Sequence, residues 1–246
     1  MKYFAASLVV SSLFAMPALA QSSASAKPRA VLELYTSQGC SSCPPADRLF
    51  GDLAKDSSLI ILTLPVDYWD YLGWKDTLGH PSFSYRQKAY AAMRSDRQVY
   101  TPQAVINGVA HAVGSQRNSI EAEIIKTRDH SGTLSVDVAV EKVGSDFRVK
   151  ISGSSLAGAS GHVWVMPIVR TREVQIGRGE NTGRTVSYVN VVRRVTNVGA
   201  WKGEAMTMDI PASSMTPDAE GVVVLLQSGT DKKSSQVLGA GRLMGL

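Results

Sequence analysis

The sequence predicts two units in series: an α/β domain over residues 30–131 and an all-β sandwich over 132–246. Up to about residue 131, helical stretches alternate with short apolar runs. From Thr133 onward the texture changes to polar–apolar alternation broken by Gly, Ser and Asn clusters, with no helical segment. The only two cysteines, Cys40 and Cys43, lie between the first apolar run and the first helical stretch.

Residues 1–20 read as a secretory signal. Lys2 supplies the positive start, Phe4 to Phe14 an apolar stretch broken only by serines, and Ala18-Leu19-Ala20 a small-x-small cleavage site, so the mature chain is expected to begin at Gln21. The stretch is too short for a spanning helix, and no later segment approaches eighteen unbroken apolar residues. A periplasmic or secreted protein without membrane insertion is expected, and no cysteine near the cleavage site suggests a lipid anchor. Removing the leader lowers the formal charge from +5 to 25 − 21 = +4. The arginines are scattered rather than packed into a run, which argues against nucleic acid as a partner.

The elements follow in order. Residues 21–29 are small and polar, a disordered leader. A strand is expected at about 30–36, then a helix from Pro44 to about Lys55 with Leu49, Phe50 and Leu53 on one face. Leu59 to Val66 is nearly unbroken apolar and reads as a strand buried on both faces, parallel to the first. Tyr68, Trp69, Tyr71 and Trp74 then crowd the loop leaving that strand's carboxyl end. They read either as a substrate-facing aromatic lip or as rings packed beneath a long loop. A helix over about 82–94 carries Phe83, Arg86, Gln87 and Tyr90. The strand 99–106 contains Pro102, Asn107-Gly108 is a hairpin turn, 109–113 returns, and 119–129 closes the unit as a surface helix. Beyond it, 133–140 and 146–152 form a hairpin, with further strands at 162–173, 185–195, 206–210 and 221–227. Residues 177–184 make a long hairpin connection.

Cys40-Ser41-Ser42-Cys43 sits where a strand runs into a helix, a place where free N–H groups and the helix dipole favour a thiolate. A bridge closing so short a loop stabilises by only ~2 kcal/mol, against ~4.7 for a hundred-residue loop, so a redox or thiol-ligand pair is a better reading than a staple.

The order β-α-β-α-β-β-α, with the cysteine motif after the first strand and Thr101-Pro102 before the third, resembles the thioredoxin fold, and residues 33–40 resemble its glutaredoxin-type opening. Four runs go further: Tyr-Thr-Ser-Gln-Gly-Cys-Ser-Ser-Cys-Pro-Pro-Ala-Asp, Val-Asp-Tyr-Trp-Asp-Tyr-Leu-Gly-Trp, Arg-Gln-Lys-Ala-Tyr and Tyr-Thr-Pro-Gln. Together they are similar to a family of secreted bacterial thioredoxin-like proteins described as a domain of unknown function, over about residues 29–246. The resemblance implies a cis Pro102 facing the cysteines, with the Thr101 backbone free to pair with an extended partner; the residues alone favour an ordinary trans proline at a strand entrance. Thiol–disulfide exchange is then expected, a possible oxidoreductase activity. Cys40 would be the exposed attacking thiolate and Cys43 the resolving thiol; protein thiols or disulfides and an external electron donor or acceptor would be the partners. Ser41 and Ser42 could hydrogen-bond the thiolate. Glu33 is either a buried proton acceptor for Cys43 or a solvent-facing acid on an edge strand, and Trp69 belongs to the aromatic lip. One departure stands out: Pro44-Pro45 follow the second cysteine, so the helix is expected to start with Ser42 or Cys43 at its N-cap and offer fewer N–H groups to Cys40.

Two other classes remain open. Cys40 and Cys43 suit copper as Cu(I), or Zn(II), with His111, His80 or a methionine as third ligand. The chain could also be a binding module whose sandwich recognises a partner and whose disulfide is structural.

Overall fold

A computed structural model describes residues 27–94, 96–230 and 233–246. The expected signal segment, and residues 21–26 of the polar leader, lie outside these described residues. The last leader residue is held: Arg29 donates its N–H to Ser58 O (2.7 Å) and its guanidinium to Glu121 (2.9 Å).

The first half runs β1 (Ala30–Thr36), α1 (Pro44–Leu53), β2 (Leu59–Pro65), α2 (Pro81–Met93), β3 (Gln103–Ile106), β4 (Ala110–Val113) and α3 (Arg117–Arg128). Strands β1 and β2 are parallel, and β3 joins β1 antiparallel. All seven residues of β1 are buried, because both faces of the strand are covered. Leu32 and Leu34 face α1 and α3 with Phe50, Ile120 and Ile124. Val31 and Tyr35 face the other way, toward Phe83 and Tyr90 of α2. At the β3–β4 turn, Asn107 (φ 50°) and Gly108 (φ 74°) both take the left-handed region that a type I′ hairpin requires.

The second half supplies β5 (Val138–Val143), β6 (Asp146–Ile151), β7 (Gly161–Gln175), β8 (Thr185–Val192), β9 (Thr196–Trp201), β10 (Met206–Ile210), β11 (Gly221–Thr230) and β12 (Lys233–Met244). Here the expected architecture fails. An α/β thioredoxin-like domain followed by an all-β sandwich is not what the chain forms. It is mostly strand, and β12, β11, β7, β8, β2, β1, β3 and β4 make one continuous sheet, with β9 added on β7. Only β10, β6 and β5 form a second sheet, which packs across β7 and β11 through Phe147, Val149, Val163, Val165, Val222 and Val224. The join is at β2: its inner edge takes β1, and its outer edge takes β8 in parallel at Thr63↔Val191, where Thr63 Oγ1 also donates to Val189 O (2.6 Å). Beside it, one core cluster combines Tyr35, Ile60, Leu62 and Leu64 with Met166, Ile168, Val223, Leu225 and Val237. Hydrophobic periodicity reports which faces of β2 are buried but is blind to which edges are paired. Strands β9 and β12 also escaped the sequence reading, because glycines interrupt their alternation; at Gly239 a Cβ would lie 2.4 Å from Val136 O.

Candidate functional site

Cys40 and Cys43 are joined in a disulfide at the β1–α1 junction (S–S 2.10 Å, Cα–Cα 5.4 Å). Cys43 is the N-cap of α1 in helical conformation, and Pro44 and Pro45 fill the first two helical positions, as the double proline predicts. The consequence is electrostatic. The prolines have no N–H, and the next two donors, Ala46 (2.8 Å) and Asp47 (3.1 Å), both bond the Cys43 carbonyl. The helix start thus directs none of these N–H groups at Cys40, and the polar neighbour of its sulfur is Ser42 Oγ at 3.5 Å. Ser41 and Ser42 are exposed, yet the sulfurs turn inward: Cys40 is 3% exposed and Cys43 0%.

Three of the sequence-predicted residues gather around this turn. Trp69 lies against it, since a Cβ on Gly39 would come 3.0 Å from the Trp69 Cβ, and its indole N–H donates to Thr101 Oγ1 (2.8 Å). The Thr101–Pro102 peptide is cis. Pro102 is near the first turn of α1: a Cβ on Gly114 would lie 3.2 Å from both the Pro102 and Ala46 Cβ atoms. Behind Thr101, Gln87 of α2 donates to Tyr100 O (2.7 Å) and to Gln103 Oε1 (2.8 Å). Of the aromatic loop, Tyr71 stacks on Trp69 at 6.4 Å and is exposed, whereas Trp74 is turned inward and donates to Gln38 Oε1 (2.8 Å). The packed reading of that loop therefore holds for Trp74, while Tyr71 is left at the surface.

Two predicted residues are committed elsewhere. Glu33 is buried, on the α2 side of β1, where it accepts from Arg86 Nε (2.6 Å), Arg86 Nη2 (3.0 Å), Tyr90 OH (2.5 Å) and Tyr35 OH (3.2 Å). It is neither a solvent-facing acid nor free to serve a cysteine. Burial pushes the Tyr35 and Tyr90 phenols well up, so both stay donors. His111 has both ring nitrogens engaged, Nδ1 with Tyr100 OH (2.7 Å) and Nε2 with Asp96 (3.1 Å). Among the described residues, no group of three or more His, Cys, Asp or Glu is arranged to hold a metal ion.

The buried acid in the first turn of α1 is Asp47, which the sequence reading passed over. Cys43 has helical dihedrals, so Asp47 stands one turn beyond it on the same inward face. It is 3% exposed, accepts from Thr36 Oγ1 through Oδ1 (2.8 Å), and leaves Oδ2 buried without a partner. Burial pushes it up to about 8; the charge of Asp76 adds to this, while the Thr36 hydrogen bond and Arg48 oppose it. It therefore holds a proton at neutral pH. Asp47 also lines a groove of about 520 Å³ between α1 and β8, along with Pro44, Arg48, Gly51, Thr185 and Val189. The signal was available: Asp47 falls three residues before Phe50, within the helix stripe that faces the core.

Two further residues fix the turn before Cys40. Asp76, raised by burial against the pull of three backbone N–H groups, accepts the Gln38 N–H (2.8 Å). From the far end of the chain, buried Asn181 donates its amide to the carbonyls of Gln38 (2.9 Å) and Cys40 (2.8 Å). No local pattern announces such a contact across 141 residues.

Known proteins match most of the chain. Protein AGR_C_4864 from Agrobacterium tumefaciens, solved by X-ray crystallography, is 31% identical, with 89% of this chain and 96% of that chain covered and a TM-score of 0.79. HBP35 of Porphyromonas gingivalis shares the fold alone, at 11% identity over 89% of this chain and 75% of that chain, with a TM-score of 0.55. No curated protein matches. The family model described as "Protein of unknown function (DUF1223)" matches residues 31–227, which together with the Agrobacterium relative shows that the chain belongs to that family.

Proposed function

We propose that Cys40 and Cys43 exchange thiols and disulfides with partner proteins outside the cytoplasm, following the leader read in residues 1–20. The observation that carries this is Asp47. A staple needs no acid, and a carboxyl buried with one oxygen unpartnered is costly to keep. Next to a cystine it has a use. A partner thiolate attacks Cys40 Sγ, the S–S bond breaks, and Cys43 leaves with the bonding pair; Asp47 then gives its proton to that thiolate. A second partner thiol resolves the mixed disulfide and releases Cys40, so two electrons pass from a dithiol to the pair. The same steps reversed oxidise a partner, with Asp47 taking the Cys43 proton. The Thr101 backbone and the exposed Tyr71 on Trp69 are the contacts proposed for the partner chain.

The reduction potential tests this. Full-length mature protein is equilibrated in thiol redox buffers and its free thiols are trapped. The expected value lies above about −230 mV, among exchange catalysts, and a value below about −300 mV would make the bridge inert and refute the proposal.

A further inference from the structure

An attacking thiolate must reach a sulfur in line with the S–S bond, and exchange depends on that access. Here the access is closed, with both cysteines buried although Ser41 and Ser42 beside them are exposed. The cover includes a part foreign to the first half of the chain. Residues 176–184, the tip between β7 and β8, fold over the turn that leads into Cys40. The tip is braced internally by Ile176 N–H to Arg184 O (2.9 Å) and Gly183 N–H to Ile176 O (2.8 Å). It rests on the indole of Trp74, so closely that a Cβ on Gly177 would come within 3.0 Å of the ring.

One side chain couples the tip to the cysteine turn. Asn181 is 1% exposed and uses its whole amide: the nitrogen donates to the Gln38 and Cys40 carbonyls, and Oδ1 accepts from Arg184 (3.1 Å). Asparagine suits this place because one planar NH₂ offers two donors to two carbonyls. Nothing about holding a hairpin closed requires those carbonyls to be the ones flanking the reactive cysteine.

We propose that the β7–β8 tip is a hinged cover over the Cys40–Cys43 bridge, latched by Asn181, and that it lifts before a thiol reaches Cys40. Asn181 is then a positioning residue, and lifting the tip frees the Gln38 and Cys40 carbonyls as acceptors for the incoming partner's backbone N–H groups. The role in exchange rests on the function proposed above; the cover itself does not.

Dithiothreitol is the probe. One of its thiolates attacks Cys40, Cys43 departs, and its second thiol closes the reagent's own ring. The second-order rate of reduction is measured on the oxidised full-length protein and on Asn181→Ala, Arg184→Ala and Trp69→Ala. Loss of the latch hydrogen bonds should raise the rate about tenfold in Asn181→Ala. Arg184→Ala removes only the donor to Oδ1 and should raise it about twofold to threefold; it serves alone if Asn181→Ala does not fold. Unchanged rates in the folded hairpin variants would overturn the latch, as would acceleration confined to Trp69→Ala, which would assign the cover to the aromatic loop. Accelerated reduction with a potential in the inert range keeps the cover and refutes exchange; an exchange-range potential with unchanged kinetics does the reverse.

Discussion

At the scale of single residues, Asp47 makes its case through pH. The unfolded carboxyl titrates near 3.8 and the folded one at about 8. Between those values the unfolded chain has released a proton that the folded chain still holds, so this group's effect on stability is most favourable below about pH 4, declines through the window and levels off above about 8. Asn imitates the protonated acid and still accepts from Thr36. Asp47→Asn should therefore match the parent near pH 4 and exceed it by on the order of a few kcal/mol near pH 9, read as urea midpoints of the oxidised proteins. Parallel curves across the window would show that Asp47 is ionised throughout. The same variant should exchange more slowly with dithiothreitol below about pH 8, by roughly tenfold to a hundredfold, because Cys43 then leaves without a proton donor. At this scale the sequence was partly readable: the cysteines, their prolines and Thr101-Pro102 were visible as a motif, and Asp47 lay in a stripe that could have been counted. Asn181 sits in a Gly-rich connection, and no spacing rule ties it to Cys40.

Among the elements, α2 bears on the site through what it buries. Its inward face is not an apolar stripe: besides Phe83 and Tyr90 it carries Arg86 and Gln87, one bound to Glu33 and the other to the Tyr100 carbonyl. Arg86 also donates to Gln227 Oε1 of β11 (2.7 Å), so one guanidinium joins α2, β1 and a strand of the second half. Its own burial works against the charge, which the Glu33 carboxylate outweighs. Arg86→Met would strand the Glu33 carboxylate in the core and should cost about 3–5 kcal/mol, whereas adding Glu33→Gln should recover a large part of it. Denaturant midpoints of the two variants check this, and equal losses would mean that packing, not charge, holds the joint. Helix α2 was legible in extent from its caps and length, since His80 caps Ser82 N and Pro81 opens the helix. What Arg86 and Gln87 bind was not legible, because periodicity says that a face is buried without naming the partner.

For the molecule as a whole, the shared sheet makes the two halves dependent. Leu62 and Leu64 of β2 are covered by Met166, Val192 and Leu225, and β2 would present a bare edge without β8. A fragment ending at residue 131 should therefore show no cooperative thermal transition, and a sharp one by circular dichroism would show that the first half stands alone. This is also where the sequence misled. Each half carries the local texture of its own class, α/β then all-β, and the pairing of Thr63 with Val191 leaves no trace in either. The Asn181 contact has a last consequence, in the order of synthesis. Cys40 emerges 141 residues ahead of the side chain that binds its carbonyl. At typical elongation rates that interval is on the order of ten seconds, so the nascent chain carries its cysteine pair uncovered, open to any oxidant it meets, before its own cover has been made.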